Sequence, residues 1–391
     1  ENNAAIELAF SKNEDSANNR KIMLSEYDRN KTLDYSNKNV SIKQFVYEDL
    51  IHFFESDNIR SIPNAIDGLK PSQRKVLYCC FKRKLENEIR VAQLAGYVSE
   101  HGAYHHGEAS LQGTIINMAQ DFVGSNNINI LDPVGQFGSR IQGGKDSAQP
   151  RYIHTKLSEI TNKIFNKLDN PLYKYVNDDG LTVEPVYYVP VLPLLLINGS
   201  EGIGTGWSTE IPCHNPIDII MNIKRYLNDE ALIPLKPWYN NFKGSITKID
   251  ENVYETKGLY DVDDYDDKVT ITELPIGMWT QKYKDYLESI TIDIKNKSKK
   301  QCIKYYNSYS TDTDVHFEIV FPKGEIYDYL STNGISTRTK LEKLLKLTNT
   351  ISTTNMVVYD KNNKIIKAKN VEEILIHYID KRLSLYEERR L

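Results

Sequence analysis

Apolar residues recur at helical spacing between Ser41 and Ser56, where Phe45, Val46, Leu50, Phe53 and Phe54 share one stripe. A second helix is expected to begin at Pro71, which suits a first helical turn because its missing N–H would have no partner there, and to bury Val76, Leu77 and Cys80. The pattern returns from Glu108 to Phe122, with Leu111, Ile115, Met118, Ala119 and Phe122 inward, and again over Leu157, Ile160, Ile164, Phe165 and Leu168. Between these two stretches glycines punctuate the chain as far as Tyr152, which predicts a glycine-turned pair of strands.

Three helices followed by such a pair suggest a winged-helix unit whose wing carries the tyrosine. Beyond it the period changes. Residues 183–197, 243–249, 252–262, 268–274 and 315–321 are strand candidates, with helices at Pro216 to Leu227 and Trp279 to Ile290. The apolar run 189–197, broken by Pro190 and Pro193, reads as a buried strand. At the end, Val371, Ile374, Leu375, Tyr378, Ile379, Leu383 and Tyr386 form a seam flanked by charges, as at the start of a coiled coil.

The 391 residues suffice for two or three compact units, and 40% apolar with 26% charged residues is ordinary for a globular chain. No apolar run is long enough to span a bilayer, and no signal or lipidation motif is visible. The start at Glu1 suggests a piece of a longer polypeptide. Cys79, Cys80, Cys213 and Cys302 form no metal-binding spacing and read as reduced thiols. A net charge of −4 argues mildly against a nucleic-acid partner, yet Arg60 to Arg90 holds eight Lys/Arg against three acids, and binding follows the local field. The alternative for this cluster is a solvated helix face. The lysine-rich stretch 295–300 reads as a solvated loop or an extended nucleic-acid contact.

Candidate chemistry centres on Gly143 to Thr155, where Tyr152 follows Arg151. An ordinary phenol is about one part in a thousand ionised at neutral pH, so a nucleophilic tyrosine needs activation. Arg151 offers a permanent cation for charge building on phosphorus, and Ala103-Tyr104-His105-His106-Gly107-Glu108 offers two imidazoles, which titrate near neutrality.

The blocks at 58–64, 67–78, 91–100, 103–108, 122–127, 135–140, 143–155, 197–208 and 271–275 resemble, in order, the type IIA DNA topoisomerases, and the eukaryotic topoisomerase II branch in particular. The resemblance implies an α+β fold: a winged-helix DNA-binding domain, a mixed α/β tower domain and the start of a long coiled-coil helix. The expected organisation is an arm over 1–40 following an absent Toprim domain, a winged-helix domain over 41–190, a tower over 191–365 and the coiled-coil start over 366–391. It further implies that Tyr152 forms a transient 5′-phosphotyrosyl link, that Arg151 stabilises the transition state, and that Arg60 and Lys70 converge on the scissile phosphate. Arg74, Lys75, Tyr104 and Trp279 are expected DNA contacts, and Ile203 between Gly202 and Gly204 matches an isoleucine that wedges between base pairs. His105 and His106 either orient or deprotonate the phenol, or one braces the helix.

One tyrosine cuts one strand, so a double-strand break requires a homodimer on double-stranded DNA. Mg2+ and ATP are expected to bind domains outside this segment: Asp261-Val262-Asp263 and Asp312-Thr313-Asp314 have Asp-x-Asp spacing without suitable neighbours. Nuclear localisation follows from the resemblance alone. The competing class is an architectural DNA binder without chemistry, which the joint presence of Tyr152, Arg151, Arg60 and Lys70 disfavours; the flanks of Tyr152 do not fit a tyrosine recombinase or a phosphotransferase.

Overall fold

The computed structural model describes residues 1–12, 14–36, 38–292, 302–331 and 338–390. The fold is α+β, and the chain forms two compact units: Glu1–Tyr78 with Ile164–Ile211 and Thr353–Leu391, and Cys79–Lys163 with Pro212–Ser352. The lysine-rich stretch 295–300 lies outside the described residues. No helix among the described residues is long and apolar enough to cross a membrane.

In the first unit, helices Asn2–Phe10 and Glu14–Ser25 pack on the helical run 42–61, bringing Ala5, Leu8, Met23 and Leu24 against Val46, Ile51 and Phe54. The run opens with a capping box in which Ser41 and Gln44 bond each other's backbone amides. Its middle, Val46–Leu50, is a π-helical turn. That wider turn shifts the helical register, so the expected five-residue stripe splits: Val46 and Phe54 are buried, whereas Phe45 and Phe53 face solvent. The helix Pro71–Arg83 starts where expected and buries Val76, Leu77 and Cys80.

Two expectations in this region are corrected. The helix expected over 157–168 is a four-residue turn, Thr161–Ile164, followed by a 3-10 turn, Lys167–Leu172, that contains Pro171; Ile160 and Leu168 are exposed. Asn166, extended and capping the Leu168 amide, breaks the helix and starts a new turn, and Pro171 beyond it does not suit a continued α-helix. The expected strand 183–197 is regular only at Leu181–Pro185, paired with Tyr175–Asp178, and its apolar end Leu194–Asn198 is a buried helix beginning after Pro193. A short apolar run does not by itself distinguish buried strand from buried helix.

The C-terminal helix Val371–Arg390 buries Val371, Ile374, Leu375, Tyr378, Ile379 and Leu385. Polar tethers fix it as well: Arg382 and Arg389 both pair with Asp169, at 2.6 and 3.0 Å, and the Tyr378 hydroxyl donates to the Pro190 carbonyl at 2.6 Å.

In the second unit, Thr280–Ile290 lays Tyr283, Leu287 and Ile290 on an antiparallel sheet ordered Tyr305–Ser308, Phe317–Val320, Lys268–Glu273, Leu259–Asp263. Thr348–Ser352, Val253–Lys257 and Ser245–Asp250 form a second sheet. The single strand expected over 252–262 is thus two strands, one in each sheet. The remaining helices of this unit include Val91–His101 and Glu108–Ala119, which lie side by side.

Candidate active site

The segment before Tyr152 is not the expected glycine-turned strand pair. Its only regular strand piece is His154–Thr155, just past the tyrosine, which pairs with Ile89–Arg90; 132–152 is otherwise turns and bridges among the described residues. Glycine and polar side chains replace a strand ladder there. Gln120, buried, donates from Nε2 to the carbonyls of Phe137 (2.9 Å) and Gly144 (3.2 Å). Asp146 accepts from the Ser139 amide at 2.9 Å and its hydroxyl at 2.5 Å. Arg140 forms a buried ion pair with Glu273, and the first amides of the Thr280–Ile290 helix bond the Arg140 and Ile141 carbonyls. Helix-end donors that would need a cap are thereby used to fix the loop.

The last turn presents the chemistry. Tyr152 closes it with its amide on the Gln149 carbonyl at 2.9 Å, and the Ala92 and Val91 amides bond the carbonyls of Pro150 and Ile153 at 3.1 and 3.0 Å. Ile153 is buried while Tyr152 is 65% exposed, so the anchor residue points inward and the phenol outward. Arg151 is also exposed, with its guanidinium carbon 4.8 Å from the centre of the Tyr152 ring. This cation–π stack brings the two groups of the predicted pair together.

Other expected site residues sort differently. The Tyr152 turn is bonded to the first residues of the Val91–His101 helix, whereas His105 and His106 follow its last turn. Eleven residues rise about 16 Å, so the histidines and the phenol lie at opposite ends of this helix. Both histidines are exposed; Tyr104 is buried, its ring edge-on to His106 at 5.4 Å. Trp279 packs into the loop, over Gly143 and edge-on to Phe122 at 5.8 Å. Gly143 has φ +62°, and a Cβ there would overlap the indole.

Arg60, Lys70 and Ile203 belong to the first unit. Ile203 is 84% exposed at the tip of a hairpin, Ser200–Ile203 with Ser208–Ile211, so it is not a core isoleucine. Helix Ile51–Ser61 supports the hairpin: Asn58 Nδ2 donates to the Thr205 carbonyl at 3.0 Å, and Asp57 accepts from the Thr205 hydroxyl at 3.0 Å. A Cβ at Gly202 would overlap the Ser61 carbonyl oxygen, so glycine is required for this close approach. Arg60 is exposed on the same helix, and Lys70 Nζ donates to the Glu201 carbonyl at 2.6 Å. Burial holds the Lys70 ammonium below its usual range, with nearby Glu201 opposing the shift.

The expected phosphate grips Arg74 and Lys75 are both engaged by acids. Arg74, buried, meets Asp67 in a two-point ion pair (2.7 and 3.0 Å), and Lys75 pairs with buried Glu184 at 2.9 Å. Asp67 also accepts the Leu69 and Tyr188 amides, both at 2.9 Å, and so shapes the turn that delivers Lys70 to its helix start. Asp67 is not among the expected site residues, although Asp-Gly ahead of a helix-starting proline is turn chemistry that signals it. Nothing in the sequence pattern marks Gln120. Among the described residues no three or more His, Cys, Asp or Glu gather as potential metal ligands.

The family of DNA gyrase and topoisomerase IV A subunits matches residues 60–391, and the C-terminal associated domain of TOPRIM matches residues 1–58. DNA topoisomerase 2 of Plasmodium falciparum is 48% identical over 99% of this chain, and a mitochondrial DNA topoisomerase 2 of Dictyostelium discoideum is 44% identical over 98%. The chain spans 27% and 29% of those two relatives. A crystal structure of the Plasmodium falciparum topoisomerase II DNA-binding, cleavage and re-ligation domain superimposes with a TM-score of 0.88 at 48% identity, covering 99% of this chain and 51% of that one. The chain belongs to the eukaryotic type II DNA topoisomerase family and corresponds to its breakage–reunion region.

Proposed function

We propose that this chain is the DNA-gate portion of an ATP-dependent type II topoisomerase, in which Tyr152 breaks and reseals a DNA strand. The observation that carries the reading is the exposed Arg151–Tyr152 stack on a loop pinned from behind. The phenol oxygen attacks a backbone phosphorus, the bond from phosphorus to the 3′ oxygen breaks, and a 5′-phosphotyrosyl diester remains. The phenol gives up its proton as the bond forms, and the departing 3′ oxygen takes one. The diester retains the energy of the broken linkage, so the 3′ hydroxyl reseals the strand by the reverse attack without ATP at that step. The Arg151 fork holds nonbridging oxygens as charge gathers on phosphorus.

The helices Val91–His101 and Glu108–Ala119, with Pro71–Arg83 before them and the pinned 132–152 segment as an irregular wing, fit a winged-helix reading; the two-sheet region fits a tower and Val371–Arg390 the start of a coiled coil. Arg60 and Lys70 grip the backbone while Ile203 enters a base step and bends the duplex. Arg74 and Lys75 shape the scaffold that presents Lys70. His105 and His106, a helix length from the Tyr152 turn, serve as phosphate contacts in this reading and not as the phenol's base within one chain. Two copies cut both strands, and a second duplex passes through the break. Mg2+, which polarises the scissile phosphate when bound, and ATP belong to neighbouring domains of the full enzyme. The nucleus is the compartment the family suggests, and the mitochondrial relative makes it a matter for fluorescent tagging.

Covalent trapping tests the reading. The chain joined to its metal-binding domain is incubated with magnesium and supercoiled plasmid, then quenched with detergent. Protein-linked linear DNA is expected from wild type and none from Tyr152→Phe. Equal linkage by the variant overturns the assignment of Tyr152, and DNA binding with no linkage by either protein favours an architectural role.

A further inference from the structure

The hairpin that carries Ile203 is tied down unevenly. Its second strand is held by Asn355, which donates to the Ser208 hydroxyl at 2.9 Å and accepts the Glu210 amide at 2.9 Å, and by Thr209, whose hydroxyl accepts the Val357 amide at 3.1 Å. Asn58 and Asp57 hold its turn. The first strand, Ser200–Ile203, receives the Lys70 ammonium on the Glu201 carbonyl, two residues before Ile203. That strand also carries an unfavourable feature: Glu201 and Glu210 are direct cross-strand partners, and like charges placed opposite each other weaken a ladder. Lys70 is a cation near Glu201 that offsets this repulsion.

We propose that Lys70 is a positioning residue for the Ile203 wedge as well as a phosphate contact, so that capture of a DNA backbone phosphate and insertion of Ile203 form one coupled event. This deepens the function proposed above and rests on it. The chemistry permits both duties at once. An ammonium has three donors; one is on the Glu201 carbonyl and two remain for phosphate oxygens, where charge-assisted bonds are roughly twice as strong as neutral ones. A phosphate that pulls on this ammonium pulls on the strand bearing the wedge. Arg60, which has no such bond to the hairpin among the described residues, grips phosphate without steering Ile203.

The test is a pair of double-mutant cycles on the 391-residue chain, with affinity and bend angle read by fluorescence on a duplex labelled at both ends. Ile203→Ala is expected to weaken binding by about tenfold in the wild-type background, and by about twofold or less once Lys70→Met is present, a coupling of the size contacting residues show. With Arg60→Gln in place of Lys70→Met the two losses multiply. Multiplying losses in the Lys70 cycle, or equal coupling in the Arg60 cycle, overturns the proposal. Hydrogen exchange on the free chain provides a readout without DNA. Lys70→Met should speed exchange of the hairpin amides at 200–211 by several-fold at an unchanged melting temperature, and unchanged exchange there refutes the positioning role. If Lys70→Met fails to fold, Lys70→Gln, which keeps a donor, is expected to exchange at an intermediate rate; wild-type exchange for it counts against the proposal. A wild-type chain that neither binds nor bends DNA refutes the DNA-gate reading, while the exchange result still decides whether Lys70 fixes the hairpin.

Discussion

The loop that presents Tyr152 and the hairpin that presents Ile203 both hold one exposed side chain against a supporting helix, by opposite means. The loop has almost no strand pairing; buried Gln120 and Arg140 and half-buried Asp146 bond its turns from behind, and Trp279 closes over Gly143. The hairpin has a regular four-pair ladder attached to its unit by Asn58, Asp57 and Lys70 on its turn and first strand and by Asn355 and the Thr209–Val357 bond on its second. Irregular backbone pinned at many points fixes the position of a nucleophile, which in-line attack demands. A regular ribbon attached at a limited number of points can tilt as a lever, which suits the wedge role proposed for Ile203.

Removing a pin from each region sharpens the contrast, and the largest effect is expected at Arg74. Arg74→Met leaves the Asp67 carboxylate buried with two backbone amides but no counter-charge. Breaking a buried pair in this way costs ~3–5 kcal/mol, to be read from a denaturant titration. If the variant instead keeps its stability and loses DNA affinity, Arg74 is a phosphate grip after all.

In the Tyr152 loop the corresponding change is Gly143→Ala. A positive φ and an indole in the way of the new Cβ together cost ~1–3 kcal/mol, felt locally. Faster hydrogen exchange over 136–152 and a fall in covalent linkage are expected, with duplex bending by Ile203 retained. Loss of bending and linkage together would mean that the two regions are not independent.

Much of this is legible in the sequence, for reasons that differ by residue. Pro71 and the helix behind it, the 216–227 and 280–290 helices, and the strands at 268–273 and 317–320 follow from periodicity and punctuation because their burial is one-sided. The 200–211 hairpin is not among the strand candidates, since Ser-Glu-Gly-Ile-Gly-Thr-Gly-Trp lacks the β-branched alternation that marks a half-buried strand. The strand pair expected before Tyr152 fails for a related reason: glycine there permits positive φ beside buried side chains and turns no hairpin. In the site itself, Arg151, Tyr152 and Ile203 are found by motif and lie exposed. The ion pairs of Arg74 and Lys75 are not legible, because charge in a sequence does not reveal which acid, 7 or 109 residues away, will meet it.

A milder perturbation concerns the histidines. If His106 removed the phenol's proton, His106→Gln would lower the single-turnover rate by about a hundredfold or more, as loss of a positioned general base does. Within one chain the helix between them predicts otherwise: His106→Gln should lower the single-turnover rate by about tenfold or less.

The smallest effect is expected at Arg60. It is exposed on the helix that supports the hairpin, so Arg60→Gln should leave the melting temperature within experimental scatter. If it grips one phosphate, its removal releases about one fewer counterion, and the slope of log affinity against log salt should become shallower by ~0.9. The same measurement on Lys70→Met should make the slope shallower by a similar amount, because Lys70 is proposed to grip a phosphate as well. A slope altered by Lys70→Met and not by Arg60→Gln would leave Lys70 as the electrostatic grip and the helix that carries Arg60 only its support.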